Sequence, residues 1–122
     1  MSYDVSCAIA AANRCLVEPA SRALDATIYC AVLGVIDANS LSSQALVEAR
    51  ARGLILINHG AIRGWADAPW YTEDLGCATS LVPEGLATIA RDPLIVCATA
   101  LIARAMLDAP PFPFRWRKHW LE

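Results

Sequence analysis

Between His59 and Asp74 the chain concentrates the side chains most able to bind or to react: His59, Arg63, Trp65, Asp67, Trp70, Tyr71 and Asp74. Arg63 with Trp65, Trp70 and Tyr71 is a set suited to binding. A guanidinium offers directed, charged donors, and indole and phenol rings offer wide apolar faces with a polar tip. The Pro69-Trp70-Tyr71 step stands directly before a predicted helix, whose first amide groups would add donors. The mixture suits a protein partner or a small phosphate-bearing, nucleotide-like ligand. The plainer use of the same step is packing, in which Trp70 or Tyr71 staples back onto the helix around Leu75. His59 is the only histidine in the body of the chain, within a predicted turn beside Gly60. Set against Cys77, Asp67 or Asp74, it offers the one combination for a Cys-His site, as in a small enzyme, although no nucleophile motif accompanies it. Cysteine and histidine nowhere show metal-ligand spacing, and no glycine-rich phosphate loop is present, so no metal and no cofactor are expected.

The second concentration is the C-terminal stretch APPFPFRWRKHWLE, residues 109–122, where Arg115, Arg117 and Lys118 alternate with Trp116 and Trp120. Alternating basic and aromatic residues hold single-stranded nucleic acid by charge and base stacking. Three such cations on an acidic chain are few for that task, because affinity for a phosphate backbone scales with the number of phosphates neutralised. The favoured reading is that Phe112, Phe114 and Trp116 cover an apolar face of this chain or of a neighbouring subunit. The last two residues, Leu121 and Glu122, are given no weight.

Composition bounds the rest. A chain of 122 residues suits one folding unit, read as a domain over residues 1–108 followed by the tail 109–122. Its mean hydropathy of +0.40 is high, yet the most apolar run, Pro93 to Leu107, is interrupted by Arg104 and is shorter than the roughly 20 residues needed to span a bilayer. Asp4 stands where a secretion signal would carry positive charge, so a cytoplasmic location is expected. The five cysteines, at positions 7, 15, 30, 77 and 97, form no C-x-x-C pair and read as reduced core thiols. Net charge is -2 and Lys118 is the only lysine; the bulk basic excess that drives nucleic-acid binding is absent.

These residues must be positioned by short elements. Val5, Ile9, Ala12 and Leu16 recur at helical spacing and predict a helix over 4–18, stopped by Pro19. Ser21 caps a second helix with Leu24, Ile28, Ala31 and Val35 on its inner face and Gly34 near its end. Ser40 or Ser42 starts a third, with Leu41, Ala45, Leu46 and Ala49 inward and Gly53 at its stop. The texture then changes to the β-branched run of Leu54 to Ile57, and a hairpin is predicted over 54–66 with its turn near Asn58 to Ala61. Thr72 or Asp74 caps a fourth helix reaching about Val82. Residues 86–90 offer a possible third strand, and Asp92-Pro93 opens a fifth helix, apolar nearly all round and therefore expected at the centre. The expected fold class is α+β, about five helices with one small antiparallel sheet.

Three blocks, SRALDATIYCAVLG from Ser21, PWYTEDLGCATSLVPEG from Pro69 and DPLIVCATALIARAML from Asp92, resemble those of small phage and prophage proteins that carry a phage α-β-α sandwich domain. The shared features are a Ser-x-x-Leu-Asp-Ala helix, a Pro-x-Tyr-Thr step into a helix ending Leu-Val-Pro-Glu-Gly, and a late Ala- and Leu-rich helix with a cysteine. The chain departs from that pattern in having only residues 86–91 between the second and third blocks. The resemblance implies a phage-related accessory protein and assigns no catalytic residue. The function expected on this basis is non-catalytic binding, such as counter-defence by inhibiting a host protein or sequestering a small nucleotide-like signal. An oligomerising assembly protein is the alternative.

Overall fold

The computed structural model describes residues 5–33, 43–59 and 62–107. The predicted caps Ser40 and Ser42, together with Gly34, Val35, Leu41, the connection 60–61 and the tail 109–122, lie outside them. Among the described residues the fold is α+β, with five helices and one two-stranded antiparallel sheet: α1 (Val5–Val17), α2 (Arg22–Leu33), α3 (Ser43–Ala51), β1 (Leu54–His59), β2 (Ile62–Asp67), α4 (Leu75–Thr79) and α5 (Pro93–Met106). None of these helices is long and apolar enough to cross a membrane.

The helix starts follow local chemistry. The Ser21 hydroxyl accepts the Leu24 N–H at 3.1 Å, Asp74 accepts the Gly76 N–H at 2.8 Å, and Asp92 accepts the Leu94 N–H at 3.0 Å with Pro93 behind it. Each cap satisfies an amide that the first helical turn leaves without a partner. α3 stops at Gly53, whose φ of 79° is the left-handed conformation that glycine adopts without strain. The next residues form the hairpin, in register from Leu54↔Asp67 to His59↔Ile62. Asn58 and His59 therefore belong to β1 and not to the turn, and the connection is confined to residues 60–61. An Ala68 N–H bond to the Gly53 carbonyl at 2.8 Å closes the base of the hairpin.

Burial corrects three expectations. On α1 the buried face is Ala8, Ala11, Ala12 and Cys15, while Ile9 and Leu16 are exposed. Both sets have helical spacing, and the small one wins because short side chains let the axis of a neighbouring helix come close. That neighbour is α5, with which α1 makes its most extensive contacts. The most enclosed helix is α2, with Leu24, Asp25, Ala26, Ile28, Tyr29, Ala31, Val32 and Leu33 all buried. α5 buries Val96, Cys97, Ala98, Ala100, Leu101 and Arg104 but leaves Ile95, Ile102 and Met106 in solvent. Finally, residues 86–90 form no strand. The Ala90 N–H bonds the Thr88 hydroxyl and Ile89 is 99% exposed, so the segment passes over α5 without joining a sheet edge.

Leu101 remains a fully buried side chain of the main core. Leu101→Ala is expected to cost about 2 to 5 kcal/mol, the range for a large-to-small change in a packed interior. The exposed Glu48→Ala should stay within about 0.5 kcal/mol. Urea midpoints of the two variants check this, and equal midpoints would refute the placement of Leu101.

Candidate functional site

The Pro69-to-Thr72 step is built around a carboxylate on another element. Asp25, on the first turn of α2, is fully buried. Its Oδ1 accepts both the Thr72 N–H and the Thr72 hydroxyl at 2.8 Å, and its Oδ2 accepts Arg22 Nη1 at 2.7 Å. The Thr72 oxygen in turn accepts the Ser21 N–H at 3.2 Å. Arg22 reaches onward, donating Nη2 to the Ala68 carbonyl at 2.7 Å and pairing with Asp67 at 3.5 Å. A carboxylate taken out of water needs this many donors, since its desolvation is otherwise uncompensated. Ser21, Asp25 and Thr72 are thus one bonded unit joining two distant parts of the sequence.

The aromatic pair divides. Tyr71 is 2% exposed, with its ring 6.4 Å from that of Tyr29, and burial pushes its phenol well above the ordinary range. It belongs to the core and to no surface. Trp70 is 51% exposed, and its ring lies 4.0 Å from the Arg22 guanidinium carbon, a cation–π contact that covers the clamp from outside. The staple onto Leu75 does not describe Trp70: Asp74 is the cap, so Trp70 stands four residues before it, and its carbonyl accepts the Asp74 N–H at 2.9 Å. Gly53 sits against the same guanidinium, where an added Cβ would overlap it.

Trp65 has a third environment. It is half-buried and forms, with Leu54 of β1 and Ala45, Glu48, Ala49 and Arg52 on and just after α3, an open cleft of about 270 Å³. Its floor is apolar, and its charged residues, Glu48 and Arg52, are exposed and of opposite sign. Arg63 precedes Trp65 by two positions in β2 and pairs with Asn58, while His59 ends β1 opposite Ile62. The structure therefore gives Trp65, Trp70 and Tyr71 three different settings, with Tyr71 withdrawn into the core. Arg115, Trp116 and Arg117 lie outside the described residues.

Cys77 and Cys97 are held as thiols. Cys77 donates to the Asp74 carboxylate at 3.6 Å, and its pKa is pushed up by partial burial first and by the Asp74 charge second. That is the reverse of what activates a nucleophilic cysteine, which needs positive surroundings. Buried Cys97 donates to the Tyr71 carbonyl at 3.2 Å, and its pKa is raised by the hydrogen bond with Cys15 and by burial. Among the described residues no group of three or more His, Cys, Asp or Glu side chains is placed to hold a metal ion.

Comparison with protein-family models, with curated proteins and with solved structures gave no match to this chain.

Sequence reasoning missed Arg22, Asp25, Gly53 and Thr72 as a unit, and Glu48 and Arg52 as the rim of the Trp65 cleft. An aspartate at a position flanked by Leu24 and Ala26 in an apolar helix was the available signal for the first set. The second had none, because it depends on how α3 meets the hairpin.

Two expectations follow from this geometry. Gly53→Ala should destabilise by about 2 kcal/mol or more, combining a positive φ with displacement of Arg22. In an Arg22→Met background the same change should cost at least about 0.5 kcal/mol less, the scale of coupling between touching residues. Strict additivity in urea unfolding would show that Gly53 is set by φ alone. Separately, Asp74→Asn keeps the helix cap but removes the charge beside Cys77, so its pKa should fall and its alkylation by iodoacetamide at mildly alkaline pH should accelerate. Peptide mass mapping reads this out, with exposed Cys7 as the internal reference.

Proposed function

We propose that the chain is a non-catalytic phage or prophage accessory protein that acts in the host cytoplasm by binding a host protein, with the Trp65 cleft as its docking point. The observation that carries the reading is the makeup of that cleft. A half-buried indole and Leu54 offer apolar surface next to two small alanines, under a rim whose charges, Glu48 and Arg52, offset each other. A balanced rim disfavours an anion and suits an apolar side chain with a polar end. The volume of about 270 Å³ falls below the roughly 300 to 1,000 Å³ usual for small-molecule sites. It matches the space taken by one anchoring residue of a protein partner. This favours occupying a host protein, as in counter-defence, over sequestering a nucleotide-like signal.

The phage reading rests on the sequence resemblance. Ser21 and Asp25 come from one block of the resemblance and Thr72 from another, and they are bonded to each other, so the two blocks have a physical reason to occur together. A second reading, self-assembly, is favoured by the exposed apolar side chains Val17, Ile89 and Met106.

Titration with N-acetyltryptophanamide, followed by amide chemical shifts, tests the cleft. Shifts are expected to centre on Ala45, Ala49, Leu54 and Trp65, with Trp65→Ala weakening the probe at least about tenfold, roughly 1.4 kcal/mol. Inorganic phosphate should leave these amides in place. A phosphate response centred on Arg52 would replace the protein partner with an anionic ligand, and silence toward both probes would remove the cleft as the site. Native mass spectra showing a closed oligomer would favour assembly.

A further inference from the structure

Two sulfurs meet in the contact between the first and last helices. Cys15 belongs to the buried face of α1 with Ala8, Ala11 and Ala12, and Cys97 to the buried face of α5 with Ala100 and Leu101. α1 and α5 share the most extensive contact between helices, and both cysteines lie in one buried cluster. The alanines let the two axes come close. A disulfide between helices needs that approach, since it spans roughly 4.4 to 6.8 Å between Cα atoms. The two thiols are joined by a side-chain hydrogen bond, and they are not equivalent. The bond from Cys97 holds the Cys15 thiol below the ordinary range against the cost of burial, and the Arg14 guanidinium adds to the effect. Cys97 is pushed up by the same bond and by burial, and its S–H has the Tyr71 carbonyl as acceptor at 3.2 Å. Of the two, Cys15 is therefore the nucleophile.

We propose that Cys15 and Cys97 are a peroxide-responsive dithiol, which closes to a disulfide that fastens α1 to α5. The Cys15 thiolate attacks one oxygen of hydrogen peroxide. Its S–O bond forms as the O–O bond breaks, and the departing hydroxide takes up the proton that Cys15 released and leaves as water. The Cys97 sulfur then attacks the sulfenic sulfur of Cys15. The S–S bond forms, the S–O bond breaks, and the hydroxyl leaves with the Cys97 proton as a second water. The thiol pair has lost two electrons and one peroxide has become two waters. Access selects this oxidant. Cys15 is 3% exposed and Cys97 has no exposed surface, which shuts out a bulky disulfide and admits only a small uncharged molecule. Cys15 stands in the last turn of α1 beside exposed Leu16 and Val17, where a helix end frays at least cost. The bridge encloses residues 16–96 in one covalent loop, which restricts the unfolded chain and favours the folded one. In a reducing compartment the pair stays open, and oxidant closes it. This lock is independent of docking at the Trp65 cleft.

The test treats the full-length reduced protein with hydrogen peroxide under native conditions, alkylates the remaining thiols without reduction and digests with trypsin. Peptide 15–22 is expected joined to peptide 92–104, each of which holds a single cysteine. The oxidised protein should unfold at higher urea than the reduced one, and dithiothreitol should return the midpoint to its starting value. In Cys97→Ser the attacking thiol has no partner to resolve it, so peptide 15–22 should instead gain the two oxygens of a sulfinic acid. Cys15→Ser should leave Cys97 a thiol at the same dose. Absence of the joined peptides, their formation only in urea, or their formation only between differently labelled molecules would overturn the proposal. So would an unchanged or lowered urea midpoint of the bridged protein, and oxidation of Cys97 in Cys15→Ser would overturn the order of attack.

Discussion

A carboxylate with no access to water governs the arrangement of this protein. Asp25 lies inside α2 with no exposed surface, and an ion so placed is tolerated only where charged and amide donors surround it. Meeting that demand draws Arg22 from the same helix and Thr72 from 47 residues further along into one cluster. Arg22 then carries the connection to the end of β2 through Ala68 and Asp67. The hairpin is small, and among the described residues its two strands pair only with each other. Its orientation toward α2 is fixed by these polar bonds together with the buried Ile55 and Ala66.

The same demand explains why four consecutive residues, Pro69 to Thr72, do different things. The backbone turns here, with the Asp74 and Glu73 amides both directed at the Trp70 carbonyl. Tyr71 and Thr72 are carried inward, one to Tyr29 and one to Asp25. Trp70 stays outside, lying over the guanidinium that completes the cluster. Adjacency in sequence suggested a shared aromatic surface, and the turn removes it. Trp65 lines an open cleft, and the walls of that cleft come largely from α3.

Features fixed by a few neighbouring residues were legible in the sequence. Ser21, Asp74 and Asp92 cap helices because a side-chain oxygen next to a free amide needs no distant partner, and Gly53 ends α3 for an equally local reason. The hairpin showed itself through its β-branched run. Features decided by rivalry between elements were not legible. Two sets of residues on α1 had helical spacing, and the preference for Ala8, Ala11 and Ala12 over Ile9 and Leu16 reflects how near α5 must come. Residues 86–90 have the composition of a strand but lie against α5 and pair with no strand among the described residues. The clamp escaped notice because it needs Asp25 and Thr72 together, and nothing local to either announces the other.

The pairing of α1 with α5 sets the order in which the protein can be made. α1 ends at Val17 and α5 begins at Pro93, so the face of Ala8, Ala11, Ala12 and Cys15 has to wait while the whole middle of the chain leaves the ribosome. At roughly 5 to 20 residues per second that interval lasts several seconds. The contacts between α3 and the hairpin, close in sequence, close small loops and form sooner. A nascent chain therefore has only α2 to pack against α1 until α5 emerges, and a ribosome that stalls before α5 releases a product in which the side of α1 that meets α5 stays uncovered, recognisable to proteases by that surface.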